Sequence, residues 1–203
     1  LYPSLEEQFA GARAVRPFVR TGRMQRRARR AAGPGWVLLP HAAYFLDPLF
    51  SGGNAHTLLG IERLGRIFRE HWGRPSLDAA LADYEKKLFR EVAFLDRLIH
   101  GCYTAFRRFE LMATFSMYYF AGAIHAEGRR RRGEAGPADE FLFSHDPAFR
   151  AALWRAHGEL CRLCREPDPP SEAEFHRQAA RGIAAFNPAG LCDPAKKNLY
   201  PFV

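Results

Sequence analysis

The strongest constraint on the fold is a change of pattern between residues 38 and 64, where an apolar run ends, a turn follows and a helix begins. The run 36–39 is Trp-Val-Leu-Leu, which has the composition of a buried strand. Pro40 ends this run, because proline cannot donate a hydrogen bond to a sheet ladder. The pattern therefore predicts a short strand that leads directly into a turn.

The turn after this strand is rich in residues that begin helices. Asp47-Pro48 and Ser51-Gly52-Gly53 suit turns and helix entries. After Asn54 the apolar residues recur at near-helical spacing, as Leu58, Leu59, Ile61 and Leu64. The sequence thus predicts a glycine-rich helix N-terminus, which presents unpaired backbone N–H groups and the positive end of the helix dipole.

Residues 41–58, HAAYFLDPLFSGGNAHTL, resemble the second flavin motif of FAD-dependent monooxygenases and the related flavin-dependent halogenases. In that family a Gly-Asp-Ala-Ala step precedes Asp-Pro and a Ser/Gly-rich turn. The matching residues here are Ala42, Ala43, Asp47, Pro48, Ser51, Gly52 and Gly53. Residues 3–30 and 186–201 look similar to the same family. The resemblance implies that the chain is the C-terminal part of an FAD-dependent oxidoreductase, a monooxygenase or a halogenase-like enzyme, acting on an organic or aromatic substrate.

Two departures from the family motif bear on its chemistry. Pro40-His41 stands where the family has Gly-Asp, whose Asp holds the FAD ribityl chain. Phe50 stands where tryptophan halogenases carry a Glu, which argues against standard tryptophan halogenation. The halogenating Lys of the family would lie outside this chain. Halogenation, hydroxylation and epoxidation therefore all stay open, as does a scaffold that has lost FAD binding.

The resemblance implies that FAD is the cofactor and that its ring lies against the turn. The predicted cofactor-binding residues are Asp47, Pro48, Ser51, Gly52, Gly53 and Asn54. Gly52 and Gly53 would let the backbone approach the flavin, since a Cβ would hold the ring away. The helix dipole would stabilise the reduced, anionic flavin by roughly 0.3–2 kcal/mol. Ser51 and Gly52 also correspond to the family's halide site. The alternative is an ordinary glycine-rich turn before a helix.

His41 and His56 flank the turn and are the catalytic candidates. Histidine titrates near neutrality, so either residue could act as a general acid or base. The alternative is a packed, hydrogen-bonded histidine, which we favour. His41 occupies the position of the family's Asp, and it could donate to a ribityl hydroxyl without reproducing the acceptor pair of a carboxylate.

The charge balance limits the classes of partner. Lys and Arg total 30 against 22 Asp and Glu, a net charge of +8, which favours anionic partners. A basic helical module that binds nucleic acid or an acidic protein would explain this charge. It would not explain why the motif at residues 47–54 is present. We therefore do not expect nucleic acid. For the arginines between Arg20 and Arg30 two interpretations stay open: they contact the phosphates of FAD or of nucleic acid, or they form a solvent-exposed face of the chain.

No GxGxxG fingerprint follows a strand. The family keeps this fingerprint in its N-terminal part, so the resemblance implies that the partners are a missing N-terminal FAD-binding part, a small-molecule or carrier-bound substrate, and a flavin reductase. The chain by itself is expected to be inactive. No apolar stretch approaches the ~20 residues of a membrane span, and four cysteines without a secretory signal predict a cytoplasmic protein.

The predicted fold class is mainly α with a small β portion. Residues 1–72 would be the C-terminal end of the FAD-binding domain, and residues 73–203 a helical C-terminal domain. The predicted helices are 4–15, 53–71, 77–100, 104–125, 147–163 and 171–185, with capping boxes at Ser4 and Ser171 and an N-cap at Asp146. A hairpin-like link is predicted at residues 33–35, and Pro167, Pro169 and Pro170 are predicted to form a rigid linker. Residues 129–137 are predicted as a charged loop. The aromatic stretch 106–120 would pack in the core or line a substrate pocket.

Cys161 and Cys164 have half of the spacing of a zinc-binding set, and Cys192 follows. A second CxxC pair is absent from the sequence, and the pair lies in the middle of a predicted helix. We favour structural thiols here and predict no metal site.

Overall fold

A computed structural model describes residues 2–22, 24–166 and 169–196 of the chain. Three parts of the sequence-based predictions lie outside the described residues. They are Arg23 of the arginine cluster, Pro167 of a proline-rich linker, and the tail from residue 197 onward.

The described residues form seven helices and four very short strands, which confirms the mainly helical fold class. The helices are α1 (Pro3–Gln8), α2 (Pro40–Ala43), α3 (Gly53–His71), α4 (Leu77–Thr104), α5 (Phe109–Arg131), α6 (Pro147–Arg165) and α7 (Pro169–Ile183). The strands are β1 (Arg26–Arg27), β2 (Ala32–Gly33), β3 (Trp36–Val37) and β4 (Tyr44–Phe45). Strand β1 pairs antiparallel with β4, and β2 pairs antiparallel with β3. The β2–β3 pair is the hairpin predicted around residues 33–35.

Helix α4 lies at the centre of the core and contacts α3, α5, α6 and β2. Its apolar stripe is buried as the helical spacing predicts: Leu81, Tyr84, Leu88, Val92, Leu95, Leu98 and Ile99. Helices α5, α6 and α7 add Phe115, Phe149, Leu160 and Phe175 to the same cluster. Because α4 packs directly against α3, it positions the turn and the helix that follows the turn.

Glu85 of α4 joins the β2–β3 hairpin to the helical core. One oxygen of its carboxylate accepts from the backbone N–H groups of Ala31 and Ala32, and the Ala32 bond is 2.9 Å long. Arg30 pairs with the same carboxylate at 2.9 Å. Burial opposes ionisation, but these hydrogen bonds and the Arg30 charge outweigh it and lower the pKa of Glu85. The hairpin is therefore held by a charged acceptor that the local sequence does not indicate.

Two predictions for the start of the chain are wrong. Helix α1 ends at Gln8 rather than near residue 15, and it begins at Pro3 with no side-chain cap, so the capping box at Ser4 does not form. Residues 2–22 are exposed throughout, and short helices without tertiary packing are marginal in water. The strand predicted at 36–39 covers only Trp36–Val37, and Pro40 begins the one-turn helix α2.

Further helix boundaries differ from the prediction, since α4 extends to Thr104 and α5 begins only at Phe109. Helix α5 continues to Arg131, so the first half of the predicted charged loop is the last turn of a helix. Cations are favourable at a helix C-terminus, and Arg129 donates to the carbonyl of Glu134 at 2.8 Å. Helix α7 begins at Pro169, so Ser171 lies inside the helix rather than at the predicted N-cap position, and Pro169 and Pro170 belong to the helix rather than to a linker. In contrast, the N-cap prediction for Asp146 is confirmed, because its side chain accepts from the Phe149 N–H.

Across the described ranges we find no helix with the length and apolar character needed to cross a membrane.

Candidate functional site

The glycine-rich turn lies between β4 and α3, at residues 47–53. Asp47 Oδ1 accepts from the backbone N–H of Leu49 at 2.7 Å, and the Ser51 N–H donates to the Pro48 carbonyl at 2.9 Å. Ser51 has a φ of 50°, in the left-handed region, where non-glycine residues are uncommon. The carbonyl of Gly52 accepts from the His56 N–H at 3.0 Å. The helix predicted to start at this turn therefore begins at Gly53.

Two tyrosines from neighbouring helices hold the turn. Tyr103 of α4 donates to Asp47 Oδ2 at 2.7 Å. Tyr119 of α5 donates to the Phe50 carbonyl at 3.1 Å, and its ring stacks on the Phe50 ring with centroids 4.2 Å apart. Both oxygens of Asp47 are thus engaged within the chain. Neither contact was predicted from the sequence. Tyr119 was considered only as part of the aromatic stretch 106–120, and Tyr103 was not considered.

Replacing Tyr119 with phenylalanine should lower the free energy of unfolding by about 0.5–1.5 kcal/mol. The variant keeps the stack on Phe50 but loses the hydrogen bond to the Phe50 carbonyl, so the loss of stability measures the contribution of that hydrogen bond. Urea unfolding of both proteins measures it. Tyr2→Phe is the control, since Tyr2 is 75% exposed. An unchanged stability for Tyr119→Phe would show that the bond does not hold the turn.

The two glycines are positions of close approach within the chain. A Cβ added at Gly53 would lie 2.9 Å from His41 Nε2, and one added at Gly52 would lie 3.1 Å from the Tyr119 hydroxyl. His41 is exposed, and Arg26 donates to its backbone carbonyl at 3.0 Å. The structure therefore brings His41, which the sequence placed at the family's Asp position, directly against Gly53.

The first turn of α3 has no side-chain cap among the described residues, since its N-cap position is Gly52. The first N–H groups of a helix have no intrahelical partner, and they carry the positive end of the dipole. Ser51, Asn54 and Pro48 are exposed, whereas Gly52 and Gly53 are half-buried. The predicted cofactor residues thus form one edge that is accessible from outside the chain.

A small cavity lies behind the turn. Its volume is about 30 Å³, and its lining includes His41, Asp47, Gly52, Gly53 and Tyr119. A space of this size admits one water-sized group, so it has room for a water molecule or a small ion but excludes a flavin ring. A cofactor ring would therefore approach these residues from the exposed edge.

His56 lies on the inner side of α3, away from that edge, and is fully buried. Its Nδ1 is 2.6 Å from the Tyr44 hydroxyl, and its Nε2 is 2.8 Å from Glu91 Oε2. Its ring also stacks on Phe141 with centroids 4.6 Å apart. A carboxylate only accepts hydrogen bonds, so Nε2 donates to Glu91. This geometry favours the packed, hydrogen-bonded alternative for His56.

Glu91 is the centre of a buried network that sequence analysis did not identify. Its carboxylate accepts from Arg63 at 2.6 and 2.8 Å, from His56, and from the Phe141 backbone N–H at 2.6 Å. Burial alone would raise the pKa of Glu91, but the hydrogen bonds from His56 and Arg63 and the Arg63 charge hold it well below its usual range. The network joins α3, α4 and the segment before α6.

A larger cavity of about 380 Å³ lies between α3, α5 and that segment. Apolar side chains form most of its wall: Leu58, Leu59, Ala123, Phe141, Leu142 and Phe143. Leu142 and Phe143 have φ values of 55° and 59°, and strained backbone of this kind clusters at binding sites. Tyr119 lines both this cavity and the small one behind the turn. Within the aromatic stretch 106–120, Phe115 packs in the core, whereas Tyr119 lines this cavity.

Two curated relatives match the chain over 185 residues each. Tetracycline 7-halogenase of Kitasatospora aureofaciens is 35% identical, over 82% of this chain and 32% of its own length. Monodechloroaminopyrrolnitrin halogenase PrnC of Pseudomonas fluorescens is 30% identical, over 85% of this chain and 32% of its own length. This chain is homologous to flavin-dependent halogenases. It spans about a third of the length of these relatives.

The halogenase fold is also found among solved structures. The structure of halogenase PltM in complex with phloroglucinol and FAD matches with a TM-score of 0.72 at 22% identity, over 96% of this chain and 43% of PltM. Another PltM structure matches with a TM-score of 0.71. No family model matches the chain. The predicted resemblance to a flavin-dependent halogenase is confirmed, and FAD, the predicted cofactor, is bound in solved halogenase neighbours.

Proposed function

We propose that this chain is the substrate-side part of an FAD-dependent, halogenase-like oxidoreductase, with Gly52 and Gly53 against the flavin ring. The observation that carries the proposal is the identity of 35% and 30% to two halogenases over more than four-fifths of the chain. Residues 1–72 would complete the FAD-binding domain, and residues 73–203 would form the helical domain that caps the substrate side.

The residues of the turn fit a flavin. Side chains are missing at Gly52 and Gly53, so a planar ring can approach the uncapped N–H groups of α3. Asp47 would shape the turn rather than touch the cofactor, because Leu49 and Tyr103 occupy both of its oxygens. His41 stands beside Gly53 and would donate to a ribityl hydroxyl. When bound, FAD supplies the oxygen chemistry, which belongs to the cofactor itself.

A halide fits the small cavity behind the turn. Its volume of about 30 Å³ suits a monatomic ion better than any organic group, and the positive end of the α3 dipole attracts an anion. Gly52 lines this cavity and Ser51 precedes it in the chain, so these two residues are the candidate halide ligands. This favours halogenation over hydroxylation, which remains the second candidate reaction.

The larger cavity is the proposed substrate site. Its volume of about 380 Å³ lies within the range of small-molecule sites, and its apolar wall suits an aromatic or polyketide-like molecule. Glu62, Glu127 and Arg130 stand at its polar rim, where they would orient a hydroxyl or carbonyl group. A free substrate and one tethered to a carrier protein both fit a cavity at the surface.

The proposed partner in cis is an N-terminal FAD-binding part. Apolar side chains in the first part of the chain are almost fully exposed, including Val15 at 98% and Phe18 at 92%. Contiguous exposed apolar side chains mark an interaction surface, and these residues would pack against the rest of the flavin domain. A flavin reductase in the reducing cytoplasm would supply electrons.

The test is the visible absorption spectrum of the full-length natural gene product, as purified and after FAD is added. We expect the spectrum of bound flavin, with an activity that depends on chloride or bromide and on a flavin reductase. A protein that stays colourless and leaves FAD free would overturn the proposal. A steep loss of DNA or RNA affinity with salt would then favour the basic binding module, and its absence would favour a scaffold.

A further inference from the structure

Two histidines and a cysteine converge where α4 and α6 pack together. His100 lies near the end of α4, and His157 and Cys161 lie on α6. The His100 Nδ1 atom is 2.9 Å from His157 Nε2, and Cys161 Sγ is 3.7 Å from the same nitrogen. One potential ligand atom from each residue lies within 4.8 Å of the others. None of the three contributes to the proposed flavin or substrate site.

We propose that His100, His157 and Cys161 bind a zinc ion, with the fourth coordination position open to solvent.

The separations between the donor atoms suit zinc. Zinc binds nitrogen at about 2.0–2.1 Å and thiolate sulfur at about 2.3 Å, so two ligands of a tetrahedral site lie about 3.3–3.6 Å apart. The separations of 2.9 and 3.7 Å bracket this range. Small side-chain rotations would therefore complete the site without any movement of the helices.

The helices pre-organise these donors. His157 and Cys161 are four residues apart on α6, so they lie one above the other on the same face. His100 faces them from α4, which packs against α6. Cys164 is absent from the cluster and packs against the hydrophobic core instead. The CxxC spacing in the sequence suggests Cys164 as the second ligand beside Cys161, whereas the proposed ligand set combines Cys161 with two histidines.

An open cavity lies beside the three donors. His100 and His157 line a cavity of about 550 Å³ with Arg27, Asp96 and Arg97. This cavity gives water or an anion access to the fourth position, and its two arginines favour an anion such as hydroxide.

The test uses the full-length natural gene product, purified with a tag that contains no histidine and stripped with a chelator. Cobalt(II) serves as the spectroscopic probe for zinc. We expect one equivalent of cobalt to give the d–d bands of a four-coordinate site and a thiolate-to-cobalt charge-transfer band, and added zinc to abolish both. Cys161→Ser should lose the charge-transfer band, and His157→Ala and His100→Ala should weaken binding at least tenfold.

Cys164→Ser and His71→Ala are matched controls, since both residues lie outside the cluster, and both variants should keep the full spectrum. The proposal is overturned if the unmodified protein gives no charge-transfer band, or if the band survives Cys161→Ser. A second measurement avoids variants altogether: zinc should slow alkylation of Cys161 relative to Cys164, as read by mass spectrometry. Equal rates with and without zinc would also contradict the site. Neither measurement depends on flavin binding, so its outcome is separate from that of the proposed function.

Discussion

Replacing Glu91 with alanine is expected to lower the free energy of unfolding by about 3–5 kcal/mol, the cost of breaking a buried ion pair from one side. The variant would leave Arg63 and His56 buried without their shared acceptor. It would also orphan the Phe141 N–H, which Glu91 binds at 2.6 Å. Urea or thermal unfolding of the two proteins measures the difference.

Glu62→Ala is the control for this experiment. Glu62 also pairs with arginine, namely Arg66 at 3.6 Å and Arg130 at 2.8 Å, but 55% of its side chain is exposed. Exposed pairs are worth about 0–1 kcal/mol, so this variant should change stability little. Equal costs for Glu62→Ala and Glu91→Ala would contradict the role assigned to the buried network.

The pH dependence of stability gives the same network a second readout. The pKa of Glu91 is lowered from its usual 4.5 to about 2 in the folded protein. Its stabilising effect is therefore complete above pH 4.5, where the carboxyl is ionised in both states, and it is lost as the pH falls toward 2. Glu91→Ala should remove this part of the acid dependence, whereas Glu62→Ala should keep it.

The local features of the fold could be predicted from the sequence. Turn residues followed by a helical period placed the start of α3 at Gly53 and its end at His71, and both agree with the structure. The apolar stripe of α4 and the Asp146 cap of α6 also depend only on neighbouring residues. Signals of this kind need no knowledge of tertiary contacts. The resemblance to flavin-dependent halogenases could be recognised from the sequence because its motif, residues 41–58, is one continuous stretch.

The contacts that support the site could not be predicted in this way. Tyr103 binds Asp47 across 56 positions of sequence, and Tyr119 reaches Phe50 across 69. Glu91 lies on a helix whose apolar period gives no sign that a carboxylate will be buried in the core. Each of these contacts depends on how α4 and α5 pack, and a period of 3.6 residues does not determine that packing. The predicted capping boxes failed for a local reason instead, because α1 and α7 begin at Pro3 and Pro169, ahead of each motif, and proline is favoured in the first turn of a helix.

Gly53→Val is expected to reduce FAD affinity of the full-length protein at least tenfold, or by about 1.4 kcal/mol. The first atom of the new side chain would lie 2.9 Å from His41 Nε2, so His41 must move. The two further methyl groups would fill the space through which a ring reaches the N–H groups of α3. Flavin occupancy, read from visible absorption and fluorescence after desalting, measures the effect.

Two matched variants separate the possible causes of such a loss. Gly65→Val makes the same change in the same helix, where the nearest atom to the added Cβ is Arg69 Nη1 at 3.7 Å, so it reports only the helix propensity of valine. His41→Ala combined with Gly53→Val removes the contact inside the chain but leaves the valine facing the ring. If the double variant binds FAD as His41→Ala does, displacement of His41 explains the loss. If the double variant is as weak as Gly53→Val, the valine itself blocks the ring. Unchanged occupancy in Gly53→Val would mean that the isoalloxazine does not lie against this turn.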